Sequence, residues 1–222
     1  MMMDVGRGPT STTFPPPMPL CPGLSGSFMA WDAERLTGPD GDDWRVPVSE
    51  LEERRNRLAS ALAEAGLESA LIDDPVELYW LTGGRQNGMI LVGAEGSGVS
   101  NVHWVRKSLD RARFESGGDD APDSVVAQPR MSGLVDALRA TGATRTPAML
   151  AGKIPHDRWA FFTGRLSSMG DASDCTHLLY GLRETKSAWE LEMHRESGRI
   201  NRRMFEAIRD VGGVGRTELE MA

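Results

Sequence analysis

The chain has 222 residues, a formal net charge of −7 and a pI near 5.2. That leaves room for one good-sized domain plus extra segments. It argues against a nucleic-acid partner, because such affinity rests on Lys and Arg neutralising phosphates. Cys21 and Cys175 are the only cysteines, which indicates no disulfide framework and fits a reducing cytoplasm. No apolar run is long enough to cross a bilayer. Met1-Met2-Met3 leads into Asp4 rather than a basic signal-peptide start, so a soluble cytoplasmic protein without a membrane partner is expected.

Residues 1–44 are rich in Gly, Pro, Ser and Thr and show no apolar period. Such a segment cannot bury enough surface to offset its ordering entropy, so a disordered tail is expected. Order is expected from Arg45. Ser49-Glu50-Leu51-Glu52 has the form of a capping box, and Leu51, Leu58, Leu62 and Ala65 form one apolar stripe ahead of Gly66. Ser69–Asp73 reads as a buried strand. Pro75 then suits the first turn of a short helix through Leu78 and Tyr79, ended by Gly83-Gly84.

Met89–Val92 is a second strand and Val99–Val105 a third, joined as a hairpin by the glycine-rich Ala94–Gly98. Gly93–Gly98 resembles a phosphate loop in glycine content alone, because it joins two strands and lacks the helix N-terminus that phosphate needs. Lys107–Phe114 has helical composition, Gly117–Pro122 is a loop, and Asp123–Ala127 is a short strand. Leu134, Val135 and Leu138 mark a helix ending at Gly142. Ala148–Ala151 reads as a strand, Pro155–Ser168 as a helix with Trp159, Phe162 and Leu166 on one side, and Thr176–Leu179 as the last strand. Alternating strands and helices predict an α/β layered domain, and the hairpin predicts a mixed sheet.

The clearest element is the last helix. Ser187-Ala188-Trp189-Glu190 is a capping box, and Met193, Ser197, Ile200, Met204, Ala207 and Val211 follow helical spacing. It would be roughly 35 Å long at about 1.5 Å per residue, with Gly212-Gly213 as its stop. Its apolar face, with Met193, Ile200 and Met204 as candidate interface residues, needs a partner.

Four segments resemble the creatinase/prolidase/aminopeptidase P family. The first runs from Arg54, Leu58, Leu62, Gly66 and Leu67 through Ala70-Leu71-Ile72 to Pro75, Leu78, Tyr79, Leu81, Thr82 and Gly83. The second is Ile90-Leu91-Val92, and the third is Val105–Ala112. The fourth is the junction, Leu182-Arg183 with Lys186-Ser187 and Glu190-Leu191, followed by Arg195, Arg199 and Ile200; Glu218-Leu219 extends it. Together they cover residues 45–222. Gly83-Gly84-Arg85 departs from the family, where an aromatic often follows the first glycine. Gly198 also departs, since alanine is usual there.

The resemblance implies the family's first domain, a mixed β-sheet with helices on both faces, over residues 45–186. It implies that residues 187–222 are the first helix and start of the pita-bread catalytic domain. A complete member cleaves Xaa-Pro peptide bonds with two divalent metal ions, held by two aspartates, a histidine and two glutamates. Those ligands belong beyond Ala222, so no catalytic or metal-binding residue and no cofactor is assigned to this chain, and it is expected to be inactive alone. Arg183, Lys186, Ser187 and Glu190 are the expected junction residues. A homodimer and the missing catalytic domain are the implied partners. Two alternatives stand beside this one: a stand-alone dimerisation or binding module, and a member acting on creatine or another small C–N substrate.

Other candidates have plainer explanations. Alternation on a strand would place Cys175 and His177 on one face, near Asp171 and Asp174, but metal sites show paired ligands at recognisable spacing, so packing and strand-end solvation are expected. His103 is expected at an exposed or edge position beside a core Trp104; the family alternative is a side chain overhanging a partner's active site. Asp73-Asp74 is expected to cap a turn. The basic runs Arg106, Lys107, Arg111, Arg113 and Arg199, Arg202, Arg203 are balanced by nearby glutamates and read as solvated, salt-bridged faces.

Overall fold

The computed structural model describes residues 43–121, 124–212, 215, 217 and 219. The expected tail up to residue 42, Asp123, Gly213, Glu218 and Glu220 lie outside the described residues. The chain divides into two units, Met1–Trp44 and Arg45–Ala222, and every element below belongs to the second. In chain order these are α1 (Val48–Glu64), β1 (Ser69–Ile72), α2 (Pro75–Thr82), β2 (Gly88–Gly93), β3 (Val102–Val105), α3 (Leu109–Glu115), β4 (Ser124–Ala127), α4 (Leu134–Ala140), α5 (His156–Leu166), α6 (Thr176–Glu184) and α7 (Ala188–Val211).

The sheet order is β1-β2-β3-β4. The first two pairings are antiparallel, with Ile72 opposite Ile90 and Ile90 opposite His103, and β3 pairs with β4 in parallel. The expected mixed sheet is therefore present. Side chains alternate across it. Ala70, Ile72, Ile90 and Val92 pack with Leu58 and Leu62 of α1, Leu78 and Leu81 of α2, and Leu179 of α6. Leu71, Met89, Leu91, Val102 and Trp104 face the other way, onto Leu134 and Leu138 of α4 and Phe162 and Leu166 of α5. Helices thus cover both faces, which is why the central strands read as continuous apolar runs.

Four local expectations are corrected. Ser49 does not cap α1: the helix starts two residues earlier, from Pro47 (φ −57°, ψ 142°), with no side-chain cap. Proline sets that entry geometry and its carbonyl accepts from Leu51 N at 3.1 Å, so Ser49 already lies inside the first turn. Ala65 is exposed rather than part of the buried stripe.

Residues 148–151 form no ladder strand. Ala148 and Met149 make isolated parallel bridges to Ala70 and Asp174, and the chain turns at once, with Lys153 N donating to Leu150 O at 2.9 Å.

Thr176–Leu179 is the first half of helix α6, not a strand. A four-residue stretch is too short to show a period of its own, and Cys175 with Leu179, and Leu178 with Leu182, stand four apart on the face that meets the core. Asp174 Oδ1 receives Thr176 N at 2.8 Å at the helix entrance.

Asp74 shows how a turn residue stabilises this fold. Its Oδ1 accepts from Val76 N and Glu77 N at 3.1 Å each, and from Lys153 Nζ at 2.9 Å. Asp74→Ala should cost about 1–2 kcal/mol, a lost N-cap plus a partly exposed ion pair, read as a shift of the urea midpoint at unchanged slope.

Candidate functional site

The junction between α6 and α7 gathers the charged residues that the sequence singled out. Ser187 caps α7 in a full capping box: its Oγ accepts from Glu190 N at 3.1 Å, and Glu190 Oε2 accepts from Ser187 N at 2.9 Å. Glu190 Oε1 also receives Trp80 Nε1 at 2.9 Å and Arg54 Nη2 at 3.2 Å. Burial alone would raise the Glu190 carboxyl, but the Ser187 N–H, the Trp80 indole and Arg54 together hold it below the usual range. Ser187→Ala should destabilise the first turn of α7 by about 1 kcal/mol, measured as faster amide exchange at residues 188–191 with the sheet amides unchanged.

Arg54 is the hub of this cluster. It is 3% exposed. Its Nη1 donates to Trp80 O at 2.9 Å and its Nη2 lies 2.9 Å from Glu50 Oε1. The guanidinium stands 5.3 Å from the Trp80 ring and 5.5 Å from the Trp189 ring, a cation–π geometry on both. Burial lowers its pKa against the opposing pull of Glu50 and Glu190.

A second cluster ties α6 to α2. Glu77, fully buried, receives Arg183 Nη1 at 2.6 Å and Lys153 Nζ at 2.7 Å. Lys186 Nζ reaches the Arg183 carbonyl. All four junction residues therefore meet in one region, and Arg183 and Glu190 each hold α2 from opposite ends of the α6–α7 turn.

Beyond this anchor, α7 runs for 24 residues. Met193 is half-buried, while Ile200, Met204, Phe205 and Ile208 are exposed. Ile200, Met204 and Ile208 are spaced four apart on one stripe; Phe205 and Ile208 were missed by the sequence reading although they continue that face. Nothing lies within 4 Å of a Cβ built at Gly198.

The turn after α2 is also fixed. Gly83 has φ +67°, and a Cβ there would lie 3.0 Å from Glu115 O, so the glycine is required twice over. Glu115, 1% exposed, receives Arg85 N at 3.0 Å and Arg111 Nε at 2.6 Å. Its carboxyl is held below the usual range although burial opposes that, through Arg85 N–H, Arg111, Gln86 and the Arg85 side chain.

His103 is not at an exposed edge. It is 1% exposed, on the α1 face of β3, and neither ring nitrogen has a hydrogen-bond partner among the described residues. Burial, then the charge of Arg55, pushes the imidazole down to about 4.

Cys175 and His177 do not share a face. Cys175 is buried, and burial followed by Asp174 pushes its thiol up to about 12, while His177 is exposed on α6. Among the described residues no group of three or more His, Cys, Asp or Glu is placed to hold a metal ion, and no helix is long and apolar enough to cross a membrane. Gly93–Gly98 is a hairpin turn, with Gly96 and Gly98 at positive φ.

Solved structures with the same fold include a Xaa-Pro dipeptidase from Bacillus anthracis, at 16% identity and a TM-score of 0.61 over 77% of this chain and 46% of that one. The dipeptidase PepE from Mycobacterium ulcerans is 19% identical, with a TM-score of 0.60 over 80% of this chain and 48% of that one. The prolidase from Pyrococcus horikoshii is 16% identical, with a TM-score of 0.59 over 77% and 46%. This chain thus spans just under half the length of each. No curated protein matches it. The model of the creatinase/prolidase N-terminal domain matches residues 54–185, well over half of the sequence, and it spans the buried sheet, the Glu77 cluster and the start of the junction: the chain belongs to the creatinase/prolidase N-terminal domain family.

Proposed function

We propose that this chain is the non-catalytic N-terminal portion of a Xaa-Pro peptidase or prolidase-like metallohydrolase, supporting dimerisation and shaping the substrate site. In this reading residues 45–186 are the first domain and residues 187–222 begin the second, where the reacting groups lie. The observation that carries it is α7, locked to the family domain at its N-terminal turn by Glu190, Arg54 and Trp80 yet apolar and open along its later turns. An apolar helix face anchored at one end is suited to be the first wall of another domain. In this reading the two divalent metals of the reaction belong to that second domain. The buried free thiol of Cys175 suits the cytoplasm.

Purified chain given Mn²⁺ and a Xaa-Pro dipeptide should release no proline. Turnover at an enzymatic rate would overturn this division of labour. The open stripe of α7 also supports the stand-alone dimerisation module. That version requires a dimer by light scattering with Ile200 and Met204 protected from solvent, and a monodisperse monomer refutes it.

A further inference from the structure

Away from the junction, a cleft of about 670 Å³ opens at one end of the sheet, a size typical of small-ligand sites. It lies where Asp73 follows β1, Asn87 leads into β2 at Gly88, Arg106 follows β3, and the first turns of α5 close over it. Its polar groups are unequal. Asp73, 7% exposed, holds Arg158 through Nε at 2.7 Å and Nη2 at 2.6 Å, both to Oδ2. Arg158 also lies 5.7 Å from the Phe162 ring. The guanidinium is therefore fixed on two sides while half exposed. Arg106 is exposed and among the described residues its guanidinium has no hydrogen bond or ion pair, although its backbone N is tied to Asn87 O at 2.9 Å. The apolar wall includes Phe161, which is 43% exposed.

Two arginine forks, one fixed and one free, beside an aromatic wall suit a carboxylate carrying an apolar body. Asp157 lines the same cleft, and among the described residues its carboxylate has no hydrogen-bond or ion-pair partner. A carboxylate in the first turn of α5 is favoured by that helix terminus, and it opposes a second negative charge on a ligand. We propose that this cleft binds a small monocarboxylate with an apolar body, its carboxylate on Arg106 and Arg158 and its apolar part against Phe161 and Phe162. The site lies wholly within the first domain and stands independently of the function proposed above.

The test is a nitrogen-15 amide titration of the full chain with sodium phenylacetate, and in parallel with inorganic phosphate, phenethylamine and L-phenylalanine. Phenylacetate should give saturable shifts confined to the cleft. Arg106→Gln, an exposed position, should weaken it at least tenfold, and Phe161→Ala by severalfold, with the remaining spectrum unchanged. Absence of saturable shifts, or equal affinity in both variants, would overturn the site. Inorganic phosphate or phenethylamine binding as tightly would overturn the monocarboxylate assignment, as would tighter binding of L-phenylalanine.

Discussion

Arg54→Ala is expected to cost about 3–4 kcal/mol, the range for removing one partner of a buried charge cluster. Three losses combine. The Trp80 carbonyl loses its 2.9 Å donor. The guanidinium no longer fills the space between the rings of Trp80 and Trp189, a packing loss as well as a charge loss. Glu50 and Glu190, 11% and 17% exposed at their side chains, are left facing one another without the cation between them. For a protein of this size the melting temperature should fall by about 10 °C. Exchange should quicken first in the opening turns of α7, because Glu190 then keeps the Trp80 indole as its sole partner from α2. Adding Glu190→Gln to Arg54→Ala should recover part of the loss, by removing one of the stranded carboxylates. A change under 1 kcal/mol would mean that Arg54 does not anchor the junction.

Stability should fall by about 3 kcal/mol as pH drops from 6.5 to 4, through His103 alone. Its imidazole is pushed down to about 4 from the ordinary 6.5, and each pKa unit corresponds to about 1.4 kcal/mol. Between those values the unfolded chain binds a proton that the folded chain does not, so protonation favours unfolding there. The contribution is fully present above 6.5, is lost progressively below it, and stops changing below about 4. The lowered carboxyls of Glu68, Asp74, Glu115, Asp174 and Glu190 begin to lose their contribution as pH falls through their ordinary values of 4.5 for Glu and 3.8 for Asp, so they add only at the acid end of this window and below it. Asp73, raised by burial, acts in the opposite direction. His103→Leu isolates the effect: it removes two buried nitrogens that have no partner among the described residues and should flatten the stability curve between pH 6.5 and 4.5. An unchanged slope in that variant would exclude His103 as its source.

Much of the fold was legible because its signals are local. Pro75 after Asp74, Gly83 after α2, and the serine–glutamate pair at Ser187 each act within a few residues, and each sits where expected. The misreadings have the same origin. Ser49 and Glu52 have the spacing of a capping box, but Pro47 starts the helix first. The Thr176–Leu179 run is too short to show a period, so Leu182, one turn on, decides its face. His103 was correctly placed on a strand, but whether its face is open depends on α1 and α2 packing across the sheet.

The candidate site was legible only in part. Ser187 and Glu190 declare their capping, whereas the partners of Glu190 and Arg183 lie 136 and 106 residues away in sequence. Pairings of that range come from α1 packing against both α2 and α6, and no periodicity carries them. The strand-end cleft is hidden for the same reason: Asp73 and Arg158 stand 85 residues apart, and each looks alone like a turn or helix-end charge.

The most direct test of the central proposal is to read the coding DNA through and past the codon for Ala222. The proposal predicts an open frame that continues into a segment bearing the two aspartates, one histidine and two glutamates of a dinuclear metal site. An authentic stop codon directly after Ala222, found in independent clones, would contradict it and leave the module reading, with the open stripe of Ile200, Met204 and Ile208 as its binding face.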